Sequence, residues 1–440
     1  MLVFIENTPR AYAWGSRDAL PELLGTAPTG EPQAELWLGA HPGDPAKVAK
    51  GGSAHSTLIE LIERDPEAYG VDGGQLPFLL KVLAIGAPLS LQVHPDKDQA
   101  EAGFAAEEAA GVPRDARERN YGDPNHKPEL LVALSEVTAL CGFRPLEAAR
   151  GDLEALAEAT EPGPGREALA LAAERLAERA DGAEGARAAA DAVDAANVRR
   201  ELVCWALGGG EDAHAAVRSI GRAVQRRSEA LAERLGADRL AALRQLVAAH
   251  PGDPGVLVSL LLHLVRLAPG ESVYLGARQL HAYLSGIGVE VMAASDNVLR
   301  AGLTEKHVDV AELLRVLDTE ELADPLFHCR QVSPGLVAYE PEVPDFRLLR
   351  ARLCEPGEPG EGALEADRRE RAELVRLDAR YPLVLIVTAG RVRVERPHAD
   401  FGEVASVGRG QSLYISAGEP IELSGLGEAF IATVGSGWSR

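Results

Sequence analysis

The chain has 440 residues, 46% hydrophobic and 25% charged, a soluble globular composition too long for one ordinary core, so about two or three domains are expected. Its 45 basic and 67 acidic residues leave a formal charge of −22, which argues against nucleic acid or anionic lipid as a partner and requires any anionic substrate to meet a local basic pocket. Cys141, Cys204, Cys329 and Cys354 lie far apart with no CxxC, which disfavours a zinc-thiolate cluster and a disulfide framework and suits a reducing, cytoplasmic setting.

In chain order, MLVFIENTPR meets Glu6 too early for a secretory signal. STLIELIERDPEAYG (56–70) has the spacing of a short helix with Ser56 as its N-cap. PFLLKVLAI (77–85) and LSLQV (89–93) are predicted strands separated by Gly86-Ala87-Pro88, and ELLVALSEV (129–137) ends in another. In LSLQVHPD, Leu89, Leu91 and Val93 share one face and Ser90, Gln92 and His94 the other, and Pro95 ends the strand.

From about residue 146 to about 250 Ala, Leu, Glu and Arg dominate. Leu169 with Leu176, then Leu231, Leu235, Leu240, Leu243 and Val247, keep helical spacing, with breaks at EPGPG (161–165) and ADGAEGA (180–186). This segment is expected to be scaffold and lid rather than chemistry. GVLVSLLLHLVRL (255–267) is apolar almost all round and expected to be buried. His263 and Arg266 interrupt it, and it is too short to span a bilayer. PGESVYL (269–275) reads as a turn and a strand, and VDVAELLRVLD (308–318) as a short helix. Beyond about 325 the pattern is strands and turns: PLVLIVTAGRVRVE (382–395) predicts a hairpin near Ala389-Gly390, and GRGQSLYISAGEPIEL (408–423) two more strands of a sandwich or jelly roll.

Four residues have metal-ligand chemistry in suggestive contexts. Gln92 and His94, two apart on one strand face, reach a single point; Glu129 follows the stiff Pro128 in NHKPEL; His281 stands in QLHAYLSG at the entry to a strand. Two imidazoles, a carboxylate and an amide oxygen suit a borderline divalent ion such as zinc, with room for a water or substrate oxygen. Among 11 histidines a single one is more often a surface or hydrogen-bonded imidazole, and His126, three residues before Glu129, competes as a ligand. Glu290, Asp296, Arg300 and Lys306 punctuate residues 288–306, where Ser295-Asp296-Asn297 is a turn signal; a turn with solvated charges explains them equally well.

Taken together, AYAWGS, AELWLGAHP, PFLLKVLAIGAPLSLQVHPD, NHKPEL with CGFRP, and HAYLSGIGVEVMAASDNVLRAGLTEKHVDV resemble the motifs of type I phosphomannose isomerase, a zinc-dependent cupin group. The likeness is strong over 7–150 and 250–310 and weak elsewhere. Glu305 stands where the family often has proline, His263 where asparagine is usual, and Gly288 where cysteine is common.

The resemblance implies a mainly β fold with an all-α insertion: a cupin-type β-barrel or jelly-roll catalytic domain in two parts (1–148 and 251–322), a helical domain (149–250) and a second cupin-like β domain (323–440). It implies one zinc ion held by Gln92, His94, Glu129 and His281, with His126 a neighbour. It also implies interconversion of mannose 6-phosphate and fructose 6-phosphate through an enediolate, with Arg300 catalytic. Glu290 and Lys127 are both candidates for the base, and the sequence does not choose between them; Lys127 can instead hold a substrate oxygen. Ser90, Lys81 and Lys306 belong by resemblance to the substrate pocket, and Trp14 to its rim or to the core. The expected partner is a phosphosugar alone, met by a monomer. Two rivals are a metal-dependent isomerase of another phosphosugar and a non-catalytic sugar-binding cupin.

Overall fold

A computed structural model describes residues 1–49, 56–71, 74–177, 188–226, 229–355, 371–399 and 402–438. They form two large antiparallel sheets and a block of helices. One sheet, of nine strands, runs Leu299–Arg300, Gln92–Val93, His281–Ala293, Phe78–Ile85, Glu35–Leu38, with Glu129–Ala133, Val137–Phe143, Leu262–Leu267 and Ser272–Leu275 branching from it. The other, of ten, is built from strands between Arg330 and Thr433 together with Leu2–Glu6 and Lys47–Val48, so the N-terminal strand lies in the C-terminal sheet, paired with Ser412–Ile415.

Alternation along the strands assigns each face of the nine-stranded sheet a role. Leu80, Val82, Ala84, Leu130, Val132, Val289 and Val291 point outwards and pack against Tyr339, Phe346, Leu348, Val384, Ile386 and Phe430 of the second sheet. At its other end Leu91, Val93, Leu140, Ala282, Leu284 and Leu299 pack against the helical block, in one core with Leu153, Leu169, Leu176, Leu202 and Leu243. The inward face is mixed. Leu83, Leu131, Ala139, Val265 and Val273 fill it apolarly, and charged residues occupy the rest. The second sheet has an apolar core of its own, with Leu349, Val375, Val392, Leu413 and Ile431.

The predicted elements between 146 and 250 are helices: Leu146–Glu158, Pro164–Ala177, Ala188–Leu207, Glu211–Gln225, Glu229–Leu235 and Ala237–Ala249. All of the apolar positions read from helical spacing are buried. EPGPG separates the first two helices, while ADGAEGA falls outside the described residues. The apolar run at 255–267 is buried as a short helix, Gly255–Ser259, followed by a strand.

Two local readings are corrected. Thr57, not Ser56, caps the helix Leu58–Arg64: its side chain accepts from Glu60 N while Glu60 returns a bond to Thr57 N. Reciprocal pairing needs an acid three residues after the cap, which Thr57 has and Ser56 lacks. No hairpin forms at Ala389-Gly390, because Leu383–Arg396 is one strand. Its register with Ile421–Thr433 slips between Val387 and Ala389, and Gly390 takes φ 67°. An extra residue beside a left-handed glycine is a β-bulge, which bends a strand without reversing it.

Candidate metal centre

The LSLQV segment forms ladder pairs only at Gln92–Val93, but its alternation holds. Leu89, Leu91 and Val93 are buried in apolar cores, and His94 is fully buried on the opposite face. Pro95 ends the strand, and Asp96 opens the helix Lys97–Ala110 with a capping box to Gln99. Gln92 has His281 as its register partner on one side and Arg300 on the other. Directly opposed residues of an antiparallel pair project to one face, so Arg300, Gln92 and His281 form a row.

Three of the four expected ligands converge. His94 Nε2 and His281 Nε2 each lie 3.4 Å from the same oxygen, Glu129 Oε2. The ligand atoms of all three residues lie within 4.8 Å of one another, and all three residues are buried. The other nitrogen of each ring faces a main-chain carbonyl: His94 Nδ1 is 2.6 Å from Asn297 O and His281 Nδ1 is 3.0 Å from Gln279 O. A carbonyl only accepts, so Nδ1 carries the hydrogen and Nε2 presents a lone pair. His94 Nε2 is buried and has no hydrogen-bond partner among the described residues. Burial, then the charge of Lys127, hold this imidazole down to about 4, and it is neutral near pH 7. Lone pairs and a carboxylate oxygen aimed at one point repel one another unless a cation sits between them. The donor set therefore fits a divalent metal, with orienting carbonyls behind both imidazoles. Gln92 stands beside His281, half-buried and without a side-chain hydrogen bond among the described residues.

Two buried lysines flank this cluster. Lys127 Nζ is 2.9 Å from Glu129 Oε1. Burial opposes ionisation of Glu129, but Lys127 and then the histidines hold its carboxyl well below the usual range. Lys81 Nζ is 3.5 Å from Glu290 Oε2 and 4.9 Å from the Trp37 ring centroid, and Tyr283 OH donates to Glu290 Oε1 at 3.0 Å. Burial would lower the Lys81 ammonium; Glu35, Glu290 and Glu129 together raise it. Glu290 is pushed up to about 7, by burial first and the charge of Glu129 second, against the pull of Lys81 and Lys127. It is therefore a buried carboxyl that titrates near neutrality.

Arg300 and Lys306 have no ion-pair partner among the described residues. Burial lowers both, and Arg300 lowers Lys306 further. Neighbouring cations without a counter-charge favour an anion between them. The loop between them is held by Asp253, which accepts from Leu303 N at 2.8 Å and Thr304 N at 3.1 Å. Ser90 is half-buried, with no side-chain hydrogen bond among the described residues. Trp14 stacks on Tyr12, their centroids 5.9 Å apart, and packs against the apolar filling of the sheet. His126 turns away from the cluster to Asp345 Oδ2, 2.8 Å distant.

Of the departures, His263 faces Leu322 O at 2.8 Å and Glu305 is exposed. A side chain at Gly288 would meet Leu131 and Val132 at 3.0 Å. Tyr283, Glu35 and Trp37, whose Nε1 donates to Glu35 Oε2 at 2.5 Å, were not singled out from sequence. Tyr283 follows His281 by two along one strand, the spacing that exposed the Gln92 and His94 pair.

Comparison with known proteins gives a consistent picture. The family model for phosphomannose isomerase type I, catalytic domain, matches residues 2–146. Mannose-6-phosphate isomerase of Escherichia coli is 40% identical over 314 residues, covering 70% of this chain and 72% of the relative. The Homo sapiens mannose-6-phosphate isomerase is 30% identical over 432 residues, covering 94% and 92%. A crystal structure of a variant phosphomannose isomerase from Salmonella typhimurium matches with TM-score 0.80 at 32% identity over 99% of both chains. A zinc-bound mannose 6-phosphate isomerase matches with TM-score 0.79 at 31% identity, again over 99% of both.

Proposed function

This chain belongs to the type I phosphomannose isomerase family, and from that premise we propose that it interconverts D-mannose 6-phosphate and D-fructose 6-phosphate with one zinc ion per chain. The observation that carries the metal is the convergence of His94, Glu129 and His281 on one point with both Nε2 lone pairs exposed to it. Gln92 is the fourth ligand, supported by its register beside His281.

Isomerisation moves one proton between C1 and C2 and another between their oxygens, through an enediolate. When bound, zinc supplies Lewis acidity, stabilising negative charge on a neighbouring oxygen. Arg300 holds a fixed positive charge one strand from Gln92 and is the electrostatic partner of the developing enediolate. Glu290 is the base: its carboxyl at about 7 accepts a proton near neutrality, and Tyr283 and Lys81 fix its orientation. Lys127, whose ammonium lies against Glu129, orients that ligand and can reach a substrate oxygen. Lys306 beside Arg300 receives the phosphate, with Ser90 as a hydroxyl contact and Lys81 lining the buried side. Trp14 walls the mouth. One chain supplies this whole set, so a monomer suffices.

We assign cupin-type barrels to residues 1–148 with 251–322 and to 323–440, with 149–250 as the helical insertion. This reading is supported by the three apolar cores and qualified by the loan of Leu2–Glu6 to the second sheet. The scattered cysteines, with no CxxC motif, support a cytoplasmic enzyme, and no helix among the described residues is long and apolar enough to cross a membrane.

A coupled assay following conversion of mannose 6-phosphate, before and after exhaustive chelation and after zinc is restored, tests the reading. Activity should vanish and return. Undiminished turnover in metal-free protein rejects the zinc role, and sugar binding without turnover in the loaded protein favours the non-catalytic alternative.

A further inference from the structure

We infer that Asn297 is a positioning residue that fixes two zinc ligands at once, from opposite ends of the same residue. The inference rests on the metal centre proposed above. Asn297 is fully buried. Its main-chain oxygen faces His94 Nδ1 at 2.6 Å, which decides that Nε2 of this ligand carries the lone pair. Its side-chain amide uses its whole bonding capacity on one loop. Oδ1 accepts from Gly122 N at 2.8 Å and Asp123 N at 3.2 Å, and Nδ2 donates to Asp123 O at 2.7 Å and Asn125 O at 2.8 Å. Ser295 and Asp296 add to the knot: Ser295 Oγ donates to Asp123 Oδ1 at 2.9 Å, and Asp296 N donates to Asp123 Oδ2 at 2.8 Å.

The pinned loop leads directly through Lys127 and the stiff Pro128 to Glu129. Displacing residues 122–125 therefore displaces the carboxylate, and displacing residue 297 turns the His94 ring. Arg300 follows three residues after Asn297 on the same segment. The turn signal at 295–297 is thus the fastener between two motifs more than a hundred residues apart in sequence.

Asn297→Asp keeps the size and the accepting Oδ1 but loses both N–H donors, and sets a carboxylate against the carbonyls of residues 123 and 125. Zinc affinity is measured on the full chain by competition with a chelator, after circular dichroism has shown the variant folded. The histidine ring resonances are followed in the same samples with nitrogen-15 labelling. Outer-shell partners of metal ligands are typically worth ~10–100-fold in affinity, and a zinc dissociation constant raised by about that factor, with the His94 Nδ1–H signal shifted or exchanging faster, is the expected result. A folded variant that binds zinc within about twofold of the parent and keeps the His94 signal overturns the inference.

Should Asn297→Asp not fold, Asn297→Ser, which gives up the amide's bonds to residues 122–125 and keeps the main-chain carbonyl to His94, carries the measurement. Weaker zinc binding is again expected, and parental affinity again overturns it. A parent chain that takes up no zinc sinks the metalloenzyme reading itself, a result distinct from equal binding by parent and variant.

Discussion

The charge state of Glu290 is decided by what surrounds it. An isolated glutamate titrates near 4.5, whereas burial and the nearby Glu129 hold this one at about 7. As a base it works ionised, so kcat/KM should rise with pH along a limb set by this carboxyl, at a midpoint drawn below about 7 by a bound cation. Glu290→Gln should abolish that limb and slow turnover ~10²–10⁴-fold; pH–rate profiles of the zinc-loaded proteins check both, and an intact limb in the variant assigns it to another group. The same shift fixes the sign for stability. Between about 4.5 and about 7 the unfolded chain loses this proton while the folded zinc-free protein keeps it, so stability falls as pH rises through that window. The convergence of His94, Glu129 and His281 was suggested in sequence by local patterns of alternation and proline stiffening. The pairing of Lys81 with Glu290 and the contacts of Asn297 were not, since each joins residues distant in sequence and leaves no local trace.

Much of the site depends on one element. The strand His281–Ala293 carries His281 and Tyr283 at its start, paired with Val137–Phe143, and Glu290 towards its end, paired with Phe78–Ile85 and Glu129–Ala133. The change of partners falls beside Gly286, at φ 109°, where an added Cβ would lie 2.4 Å from Glu136 O. A side chain here meets both the backbone conformation and that carbonyl. Gly286→Ala should lower stability by roughly 2–4 kcal/mol, about the cost of a strained residue plus a displaced carbonyl, and should weaken zinc binding by swinging the two ends of the strand apart. Urea unfolding with chelator competition measures both, and parental values for both show that the bend does not need glycine. At this scale the sequence revealed where apolar strands lie but misplaced a reversal. A glycine after a strand run reads the same whether it closes a hairpin or forms a bulge; only the partner strand distinguishes them.

For the whole molecule, the question is whether the second sheet is dispensable. Among the described residues it contributes no member of the His94, Glu129 and His281 cluster, and its core is built mainly of apolar side chains. It does cover Leu80, Val82, Ala84, Leu130, Val132, Val289 and Val291. At about 1.5–3 kcal/mol per buried side chain, uncovering that face forfeits an amount comparable with the roughly 5–15 kcal/mol that holds a domain folded. A chain ended at residue 322 should therefore aggregate and fail to take up zinc. A soluble, zinc-binding fragment in size-exclusion and metal analysis would show the first sheet self-sufficient. The onset of helices at Leu146 and of the C-terminal strands at Arg330 follows composition changes in the sequence near 146 and 325, whereas the transfer of Leu2–Glu6 to the far sheet was invisible, because register between distant strands is written in no local pattern.

That transfer has a consequence for how the protein is made. Leu2–Glu6 leaves the ribosome roughly 410 residues ahead of Ser412–Ile415, the strand it joins. At translation rates of about 5–20 residues per second the delay is on the order of 20–80 s. Throughout that interval only the short strand Lys47–Val48 is there to pair with it, and its other edge stays open, a period in which chaperones have reason to hold it. A strand made long before its partner is thus among the last to find its place, and the second sheet closes in a step that a prematurely terminated polypeptide cannot complete.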